Sequence, residues 1–309
     1  MTSASSAEGV VGTLSEASFA SRLQTGLALR VGPFNARIVA NASGIEEPLY
    51  GLYRDYRLLP DPSVFSFHAQ IQERRTAPFF GRRLVRFSVD GRTPHEDMPA
   101  EQALPVLEWG LNLVIALRSH QYLMLHSAAV ALNDSGLLLP ATPGSGKTTL
   151  SAGLALRGWR LLSDEFGLLR PGTTDLVPIP RPLALKNESI EVIREFDADA
   201  HIGPSIPNTR KGTVAHLRPP GSSILEAERT AAVKWIVFPQ WEAKSECVIS
   251  EISKSEAFML LATNAFNYEL LGDAGFDTVA RLVENAACFD LVYSDLDTAV
   301  GALSDVLSQ

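Results

Sequence analysis

Residues Leu137–Leu150, LLLPATPGSGKTTL, have the pattern of a buried strand, a glycine-rich turn and the first turns of a helix. Gly144 and Gly146 allow the backbone to turn its N–H groups inward, because glycine has no Cβ to clash. These N–H groups and the positive end of the helix dipole favour an anion at the same point. The sequence therefore predicts a phosphate-binding loop of the form G-x-x-x-x-G-K-[ST], with Ala141 at the first glycine position.

The loop pattern also predicts what the first two side chains of the helix, Lys147 and Thr148, bind. Lys147 is expected at the β- and γ-phosphates of a nucleotide, and the Thr148 hydroxyl on Mg²⁺. The alternative is a chance glycine-rich turn, but the apolar strand and the amphipathic helix that flank it favour phosphate binding. The predicted nucleotide-binding residues are Pro143, Gly144, Ser145, Gly146, Lys147, Thr148 and Thr149.

A pair of carboxylates follows in the next apolar segment, Trp159–Leu169, WRLLSDEFGLL, which is predicted to be a single strand. Asp164 and Glu165 lie 16 and 17 residues beyond Thr148, in a region where open α/β sheets bind ligands. One carboxylate could take a proton from a substrate hydroxyl while the other holds Mg²⁺. The residues leave both assignments open, and a solvated strand end is the alternative to either.

Four further polar residues are candidates for the same site. His126 interrupts the otherwise apolar strand Tyr122–Leu132 and faces either the phosphates or the protein core. Glu188 is either a metal-linked acid or a charge that stabilises a helix N-terminus. Arg210 and Lys211 lie in a polar loop that could close over the transferred phosphoryl group, and Arg210 is the favoured residue of the two.

The composition restricts the class of protein. With 46% hydrophobic and 20% charged residues the chain is expected to be globular. The net charge of −8 disfavours nonspecific nucleic-acid binding. The two cysteines predict neither a disulfide framework nor a zinc site. The N-terminus lacks the pattern of a signal peptide, and the apolar run Leu111–Leu117 is too short to span a bilayer. We therefore expect a cytoplasmic protein without nucleic-acid or membrane partners.

The order of elements predicts an α/β fold. Residues 1–13 are expected to be a flexible tail, residues 14–99 a β-rich N-terminal domain, and residues 100–309 an α/β catalytic domain. A helix is expected from Ala100 to near Ser119. The segment Tyr50–Leu59 is either an aromatic edge packed on the sheet, which is favoured, or a ligand-facing surface. The predicted N-terminal strands are Leu27–Val31, Ala36–Val39, Val64–Ile71 and Leu84–Val89.

The run from His126 to Leu169 resembles the catalytic core of HPr kinase/phosphorylase. A histidine-bearing strand, a P-loop, a helix that ends in Arg-Gly and an acidic pair occur in the same order in that family. Within it, the sequence looks closest to the HPr-kinase-related kinases of type A, which accompany peptide chaperones of the PqqD type. The later stretches PRPLALKNESI and NTRKGTVAHLRPP also look like that subgroup.

The resemblance implies a P-loop kinase core of the HPr kinase/phosphoenolpyruvate carboxykinase type, behind a small β-rich N-terminal domain. It implies that Asp164 is the base, that Glu165 is its acidic partner and that His126 lies near the phosphates. The family usually has two aspartates, so Glu165 is a departure. The implied metal ligands are Thr148, Glu165 and Glu188.

The implied function is an ATP- and Mg²⁺-dependent kinase that phosphorylates a hydroxyl, that of serine, on a peptide or small protein. A PqqD-type chaperone is an implied partner, and a homo-oligomer is compatible with the resemblance. The Gly- and Arg-rich segment with which HPr kinases hold HPr is not recognisable, which argues against HPr as the substrate. A small-metabolite kinase and a nucleotide-gated peptide-binding module without catalysis remain as alternatives.

Overall fold

The computed structural model describes residues 9–60, 63–77 and 81–307, and the strands within these ranges form three sheets. The strands of the first sheet are β1 (Leu27–Val31), β2 (Phe34–Asn41), β3 (Phe67–Arg75), β4 (Arg83–Val89) and β5 (Met98–Pro99). They are neighbours in chain order, with β2 and β3 parallel and the other pairs antiparallel. The helices of this part are α1 (Glu16–Thr25), α2 (Glu46–Tyr53) and α3 (Ala103–Arg118), and short 3₁₀ helices lie at Val11–Thr13 and Ala100–Gln102.

The first sheet is buried on one face. In β2 the buried residues alternate with more exposed ones, and Ala36, Ile38 and Ala40 belong to the core. Helix α3 packs on β3 and β4, with Gly110 at the ring of Phe87. A Cβ on Gly110 would lie 2.5 Å from that ring, so the close approach of the helix requires glycine.

The second sheet has the order β10-β9-β6-β7-β14-β16-β15, and β8 pairs with β6 beside β9. Strand β14 is parallel to β7 on one side and to β16 on the other. The other pairs of this sheet are antiparallel. A third sheet has the order β11-β13-β12. The strands are β6 (Leu123–Leu132), β7 (Ser135–Pro140), β8 (Arg160–Ser163), β9 (Phe166–Leu169), β10 (Asp175–Val177), β11 (Leu183–Lys186), β12 (Ile206–Thr209), β13 (Gly212–Leu217), β14 (Ala231–Trp241), β15 (Val248–Glu251) and β16 (Ala287–Tyr293). The helices are α4 (Lys147–Leu156), α5 (Glu188–Phe196), α6 (Gly221–Leu225), α7 (Lys254–Thr263), α8 (Tyr268–Leu271), α9 (Asp273–Asn285) and α10 (Leu296–Leu307).

Helices cover both faces of the second sheet, and β7 lies at its centre. Leu137 and Leu139 belong to the core formed with α4 and α10, whereas Leu138 belongs to the core formed with α7 and α9. A strand that is buried on both faces needs an uninterrupted apolar sequence, and β7 has one. The predicted pairing of β6 with β7 is confirmed, as is the helix that follows the glycine-rich turn.

The acidic pair lies between two strands and not at the end of one, so the predicted single strand Trp159–Leu169 is wrong. β8 ends at Ser163 and β9 begins at Phe166. The Ser163 hydroxyl accepts a hydrogen bond from the N–H of Phe166 at 3.1 Å, which closes a turn around Asp164 and Glu165. Both strands pair with β6, so the turn places the two carboxylates beside His126.

Residues 9–13, which were predicted to belong to a flexible tail (residues 1–13), pack against the rest of the protein. Val11 is fully buried, and its N–H donates to the carbonyl of Tyr56 at 2.9 Å. An apolar side chain with a core contact fixes residues 9–13, which composition alone does not indicate. Residues 1–8 of the predicted tail lie outside the described residues.

The aromatic segment Tyr50–Leu59 packs inward, which confirms the favoured interpretation of burial, although it forms the end of α2 and a turn and not a sheet edge. Tyr53 and Tyr56 are almost fully buried. The Tyr53 hydroxyl donates to Glu108 of α3 at 2.7 Å, and the Tyr56 hydroxyl donates to the carbonyl of Pro180 at 3.0 Å. The segment therefore joins the first sheet to the rest of the chain.

The division between residues 14–99 and 100–309 stays a prediction. Helix α3 lies in the second range by sequence, yet it packs on the first sheet. In the part of the chain that the structure describes, no helix combines the length and the apolar character that crossing a membrane requires.

Candidate active site

The turn between β7 and α4 has the backbone that the glycines predict. Gly144 and Gly146 have φ values of 93° and 84°. A Cβ on Gly146 would lie 2.4 Å from the hydroxyl of Tyr293, so that position is also closed to any side chain. The Tyr293 hydroxyl donates to the carbonyl of Gly146 at 3.1 Å, and the N–H of Trp241 donates to the carbonyl of Ser145 at 2.9 Å. Strands β14 and β16 thus anchor the loop through its carbonyl groups.

Two residues of the loop test whether phosphate fits there. Ala141 does not have a positive φ, so its methyl group causes no backbone strain where the pattern has glycine. The hydroxyl of Ser145 is buried without a hydrogen-bond partner among the described residues. Buried hydroxyl groups are normally paired, and a phosphate oxygen in the loop would supply the missing acceptor. Together with the N-terminus of α4, these features fit a bound phosphate group.

Lys147 connects the loop to the acidic turn. Its side chain is only 8% exposed, and Nζ donates to the backbone carbonyl of Asp164 at 3.1 Å. The same Nζ lies 4.0 Å from Oε2 of Glu165. A buried ammonium group needs such partners, because burying a charge without one costs several kcal/mol. The two halves of the candidate site are therefore in contact through one side chain.

Asp164 is the buried member of the acidic pair, with 7% exposure. Its Oδ1 accepts a hydrogen bond from the Ser151 hydroxyl at 3.3 Å. Burial, and then repulsion by Glu165, raise the pKa of Asp164 to about 6, while Lys147 and the hydroxyl of Thr148 oppose the shift. The carboxyl group of Asp164 therefore faces the start of α4, next to the residues predicted to hold Mg²⁺.

Glu165 and His126 form the more open side of the site. Oε2 of Glu165 lies 3.8 Å from Nε2 of His126, and both side chains are about a quarter exposed. Burial and the charge of Lys147 lower the pKa of His126, and Glu165 opposes this shift. The lowered pKa favours the neutral imidazole, and its ring centroid lies 5.6 Å from that of Phe266. The structure thus brings together His126, Lys147, Asp164 and Glu165.

The loop with Arg210 and Lys211 is the turn of the β12–β13 hairpin. Nη2 of Arg210 lies 3.9 Å from the exposed carboxylate of Glu96. Nζ of Lys211 lies 5.6 Å from the centroid of the Trp109 ring. Burial, and then repulsion by Lys186 and Lys147, lower the pKa of Lys211, whereas Glu165 raises it. The sequence favoured Arg210 of this pair, but it is Lys211 whose pKa responds to the charges of Lys147 and Glu165 in the site.

Lys186 is a further cation of the site that the sequence did not single out. It is the last residue of β11, and its charge acts on His126, Asp164 and Lys211. The only sequence signal was its place beside Asn187 and Glu188, in a segment that looked like a helix start. Lys147, Lys186 and Lys211 supply local positive charge in an acidic protein, which a polyphosphate ligand requires.

The predicted metal ligands fall into two groups. Thr148 lies in the first turn of α4 near Asp164, whereas Glu188 begins α5 with an exposed side chain. Across the described residues, no group of three or more His, Cys, Asp or Glu side chains could hold a metal ion. Mg²⁺ is usually held by one or two carboxylates together with substrate phosphates, and the residues at Thr148 and the acidic turn fit that mode. The ligand set Thr148, Glu165 and Glu188 stays a prediction.

A groove of about 420 Å³ opens next to Glu165 and His126. We call it the α3 groove, and its apolar lining includes Trp109, Leu113, Ala116, Phe166 and Phe266. Arg210 and Lys211 also line it. Its volume lies in the range of ligand sites in proteins, and it gives a second molecule access to the acidic pair.

Comparison with protein-family models and with curated proteins finds no match to this chain. Among solved structures, the HPr(Ser) kinase/phosphatase from Coxiella burnetii is similar, with 12% sequence identity over 60% of this chain and 94% of that chain. The TM-score is 0.25, which is too low to assign the fold or the function of this chain from that structure. The function proposed below therefore depends on the residues of the site.

Proposed function

We propose that the chain is an ATP- and Mg²⁺-dependent kinase that transfers the γ-phosphoryl group to a hydroxyl, that of serine, on a peptide or small protein. The observation that carries this proposal is the position of Lys147. Its Nζ lies within 4.0 Å of both the Asp164 carbonyl and the Glu165 carboxylate, at the start of the helix that follows the glycine-rich loop. A phosphate held by the loop would therefore lie beside the carboxylates that an acceptor hydroxyl needs.

Bound Mg²⁺-ATP would supply the phosphoryl group and neutralise part of its charge. The loop N–H groups and Lys147 would bind and orient the phosphates, which is most of what phosphoryl transfer requires of a protein. Lys186 and Lys211 would stabilise the negative charge that remains on the transferred group. Residues of the chain thus supply positioning and charge, and one carboxylate receives the proton of the acceptor hydroxyl.

The geometry favours Glu165 as the group that accepts this proton and Asp164 as the metal-side carboxylate, which reverses the assignment implied by the family resemblance. Glu165 and His126 line the α3 groove, through which an acceptor can enter. Asp164 is buried against Ser151, and the hydroxyl of Thr148, the predicted Mg²⁺ ligand of the helix, lowers the pKa of its carboxyl group. A base must lie within hydrogen-bond reach of the hydroxyl it deprotonates, and Glu165 is the more accessible residue.

The test is transfer of labelled phosphate from ATP to serine-containing peptides. Lys147→Ala should abolish transfer and weaken ATP binding, because the loop loses its ammonium group. Lys234→Ala removes an exposed lysine of β14 and should behave as the wild type. Transfer by Lys147→Ala at the wild-type rate would contradict the proposal, since the site would then lie elsewhere.

A further inference from the structure

Helix α3 has two apolar faces, and only one of them is covered by the first sheet. Leu107, Leu111 and Val114 are buried in the core with that sheet. A second stripe, Val106, Trp109, Leu113 and Ala116, follows the i, i+3, i+7, i+10 spacing of one helix face and lines the α3 groove. A helix that is apolar on two sides normally has a partner on both. Val106, at one end of this stripe, is buried in the same core, whereas Trp109, Leu113 and Ala116 are half-buried along the groove, so this part of the second face is open to a ligand.

The opposite wall of the groove is aromatic and reaches the surface. The ring centroid of Phe266 lies 5.6 Å from those of His126 and Phe166, so this wall adjoins the acidic turn. Phe266, in the bend before α8, is 55% exposed, and Leu270 of α8 is 78% exposed. Large apolar side chains exposed together beside a groove mark a binding surface. The mouth is open, whereas small-molecule sites enclose most of their ligand.

The rim of the groove is positively charged. Lys211 lies over Trp109, and Arg210 lies beside it in the same turn, with the exposed carboxylate of Glu96 3.9 Å from its guanidinium. In a protein with a net charge of −8, this cationic edge favours an acidic group on the bound molecule. The groove thus presents an apolar wall and a cationic rim, with Glu165 in its lining.

We propose that the α3 groove binds the acceptor peptide through a large apolar side chain next to the phosphorylated serine, with an acidic residue of the peptide at Lys211 and Arg210. This inference rests on the proposed function and adds the class of acceptor to it. The apolar side chain packs between α3 and Phe266, and this packing places the serine hydroxyl at Glu165. No covalent chemistry is needed beyond transfer of the phosphoryl group from ATP and of the hydroxyl proton to Glu165.

The test uses synthetic peptides with one central serine, in which each flanking position is Ala, Leu, Phe, Asp or Lys. Burial of a whole apolar side chain corresponds to a roughly tenfold to hundredfold change in an equilibrium constant. We expect kcat/KM to be at least about tenfold higher for one Phe or Leu position than for Ala, chiefly through KM. Asp near that position should raise kcat/KM and Lys should lower it.

Variants on neighbouring positions of α3 show whether the preference comes from the groove. Ala116→Trp places a bulky side chain in the groove and should reduce the Phe-to-Ala preference to less than about twofold. Leu117→Trp changes the next residue, which is 55% exposed and lines a separate surface depression with Val89 and Arg118, and it should keep the preference. Trp109 provides a readout without turnover: apolar-flanked peptides should change the fluorescence of the wild type but much less that of Trp109→Phe.

Equal kcat/KM values for Phe- and Ala-flanked peptides, or an unchanged preference in Ala116→Trp, would overturn the assignment of the groove. Failure of every peptide to accept phosphate, with Lys147-dependent ATP binding intact, would instead contradict the proposed peptide kinase activity. These outcomes leave the nucleotide site standing. Wild-type transfer by Lys147→Ala would instead contradict the assignment of the nucleotide site. Failure of the groove, which leaves transfer intact without a flanking preference, is therefore distinguishable from failure of the proposed function.

Discussion

Asp164 is a buried carboxylate whose ionisation opposes folding. Its pKa is raised to about 6 by burial and by Glu165, from an ordinary value of 3.8. The unfolded chain therefore ionises first, and stability falls as pH rises from about 4 to about 6 and stays low above that range. A shift of this size corresponds to roughly 3 kcal/mol. We expect Asp164→Asn to raise the free energy of unfolding at pH 8 by about half that amount or more, and by about half as much at pH 5 as at pH 8.

Urea denaturation without divalent cations or nucleotide measures this difference. Asp277→Asn, which changes an exposed carboxylate of α9, should have little effect at either pH. A stability gain in Asp164→Asn that is as large at pH 5 as at pH 8 would show that the burial penalty is not its cause.

Substitution of Glu165 and of Asp164 should affect different steps, catalysis in the first case and Mg²⁺ binding in the second. Glu165→Gln should lower kcat by roughly 100- to 10,000-fold, the usual contribution of a general base, and leave the affinity for Mg²⁺-ATP nearly unchanged. Asp164→Asn should instead raise the Mg²⁺ concentration needed for nucleotide binding. Steady-state kinetics and Mg²⁺ titrations of ATP binding measure both effects. The reverse pattern would restore the assignment that the family resemblance implies.

The residues of one strand–turn–helix unit could be predicted together, and those from distant segments could not. His126, Lys147, Asp164 and Glu165 come from adjacent strands and the helix between them, so strand order alone places them near one another. Lys186 and Lys211 reach the site through the separate β11–β13 sheet, whose position depends on long-range packing that no local pattern encodes.

Among the elements, the turn between β7 and α4 depends most directly on its glycines. Gly144 and Gly146 both have positive φ, but only at Gly146 would a Cβ meet other atoms within 4 Å. We expect Gly144→Ala to cost about 1–2 kcal/mol from backbone strain alone. Gly146→Ala should cost more and weaken ATP binding by at least about tenfold, because the hydroxyl of Tyr293 must move.

Calorimetric ATP titration and thermal unfolding of the two glycine variants provide the measurement. The variants form a matched pair, since they share the sign of φ and differ in the contact at Tyr293. Equal losses of affinity in both would mean that strain, and not the contact with Tyr293, sets the geometry of the loop.

The elements that the sequence predicted well have a continuous hydrophobic period. Strands β1 and β2, helix α3 and the β7–α4 unit were predicted from apolar runs, helical spacing and turn residues. The break between β8 and β9 was missed, because the apolar run continues on both sides of the acidic turn. A hydrogen bond from the N–H of Phe166 to the Ser163 hydroxyl closes that turn. Such a local hydrogen bond does not change the pattern of hydrophobic residues, so the pattern cannot predict it.

At the scale of the whole molecule, a buried polar network joins the first sheet to the candidate site. Arg181 donates to the Glu108 carboxylate and, at 3.1 Å, to the Glu108 carbonyl, and it also donates to Asn112. Tyr53 of α2 donates to the same carboxylate. Arg181 and Asn112 line a small cavity together with Asp164, so the network fixes α3 relative to the acidic turn.

Removing one charge from this network should be far more harmful than removing both. Glu108 is 2% exposed and Arg181 7%, so Arg181→Met leaves a buried carboxylate without its main partner. We expect a loss of about 3–5 kcal/mol in the free energy of unfolding. The double variant Glu108→Leu with Arg181→Met should recover most of that loss, because it leaves no unpaired charge. Chemical denaturation of the single and double variants measures the coupling. A cost below about 1 kcal/mol for Arg181→Met would mean that water reaches Glu108, and that the contact between α3 and the acidic turn depends on apolar packing alone.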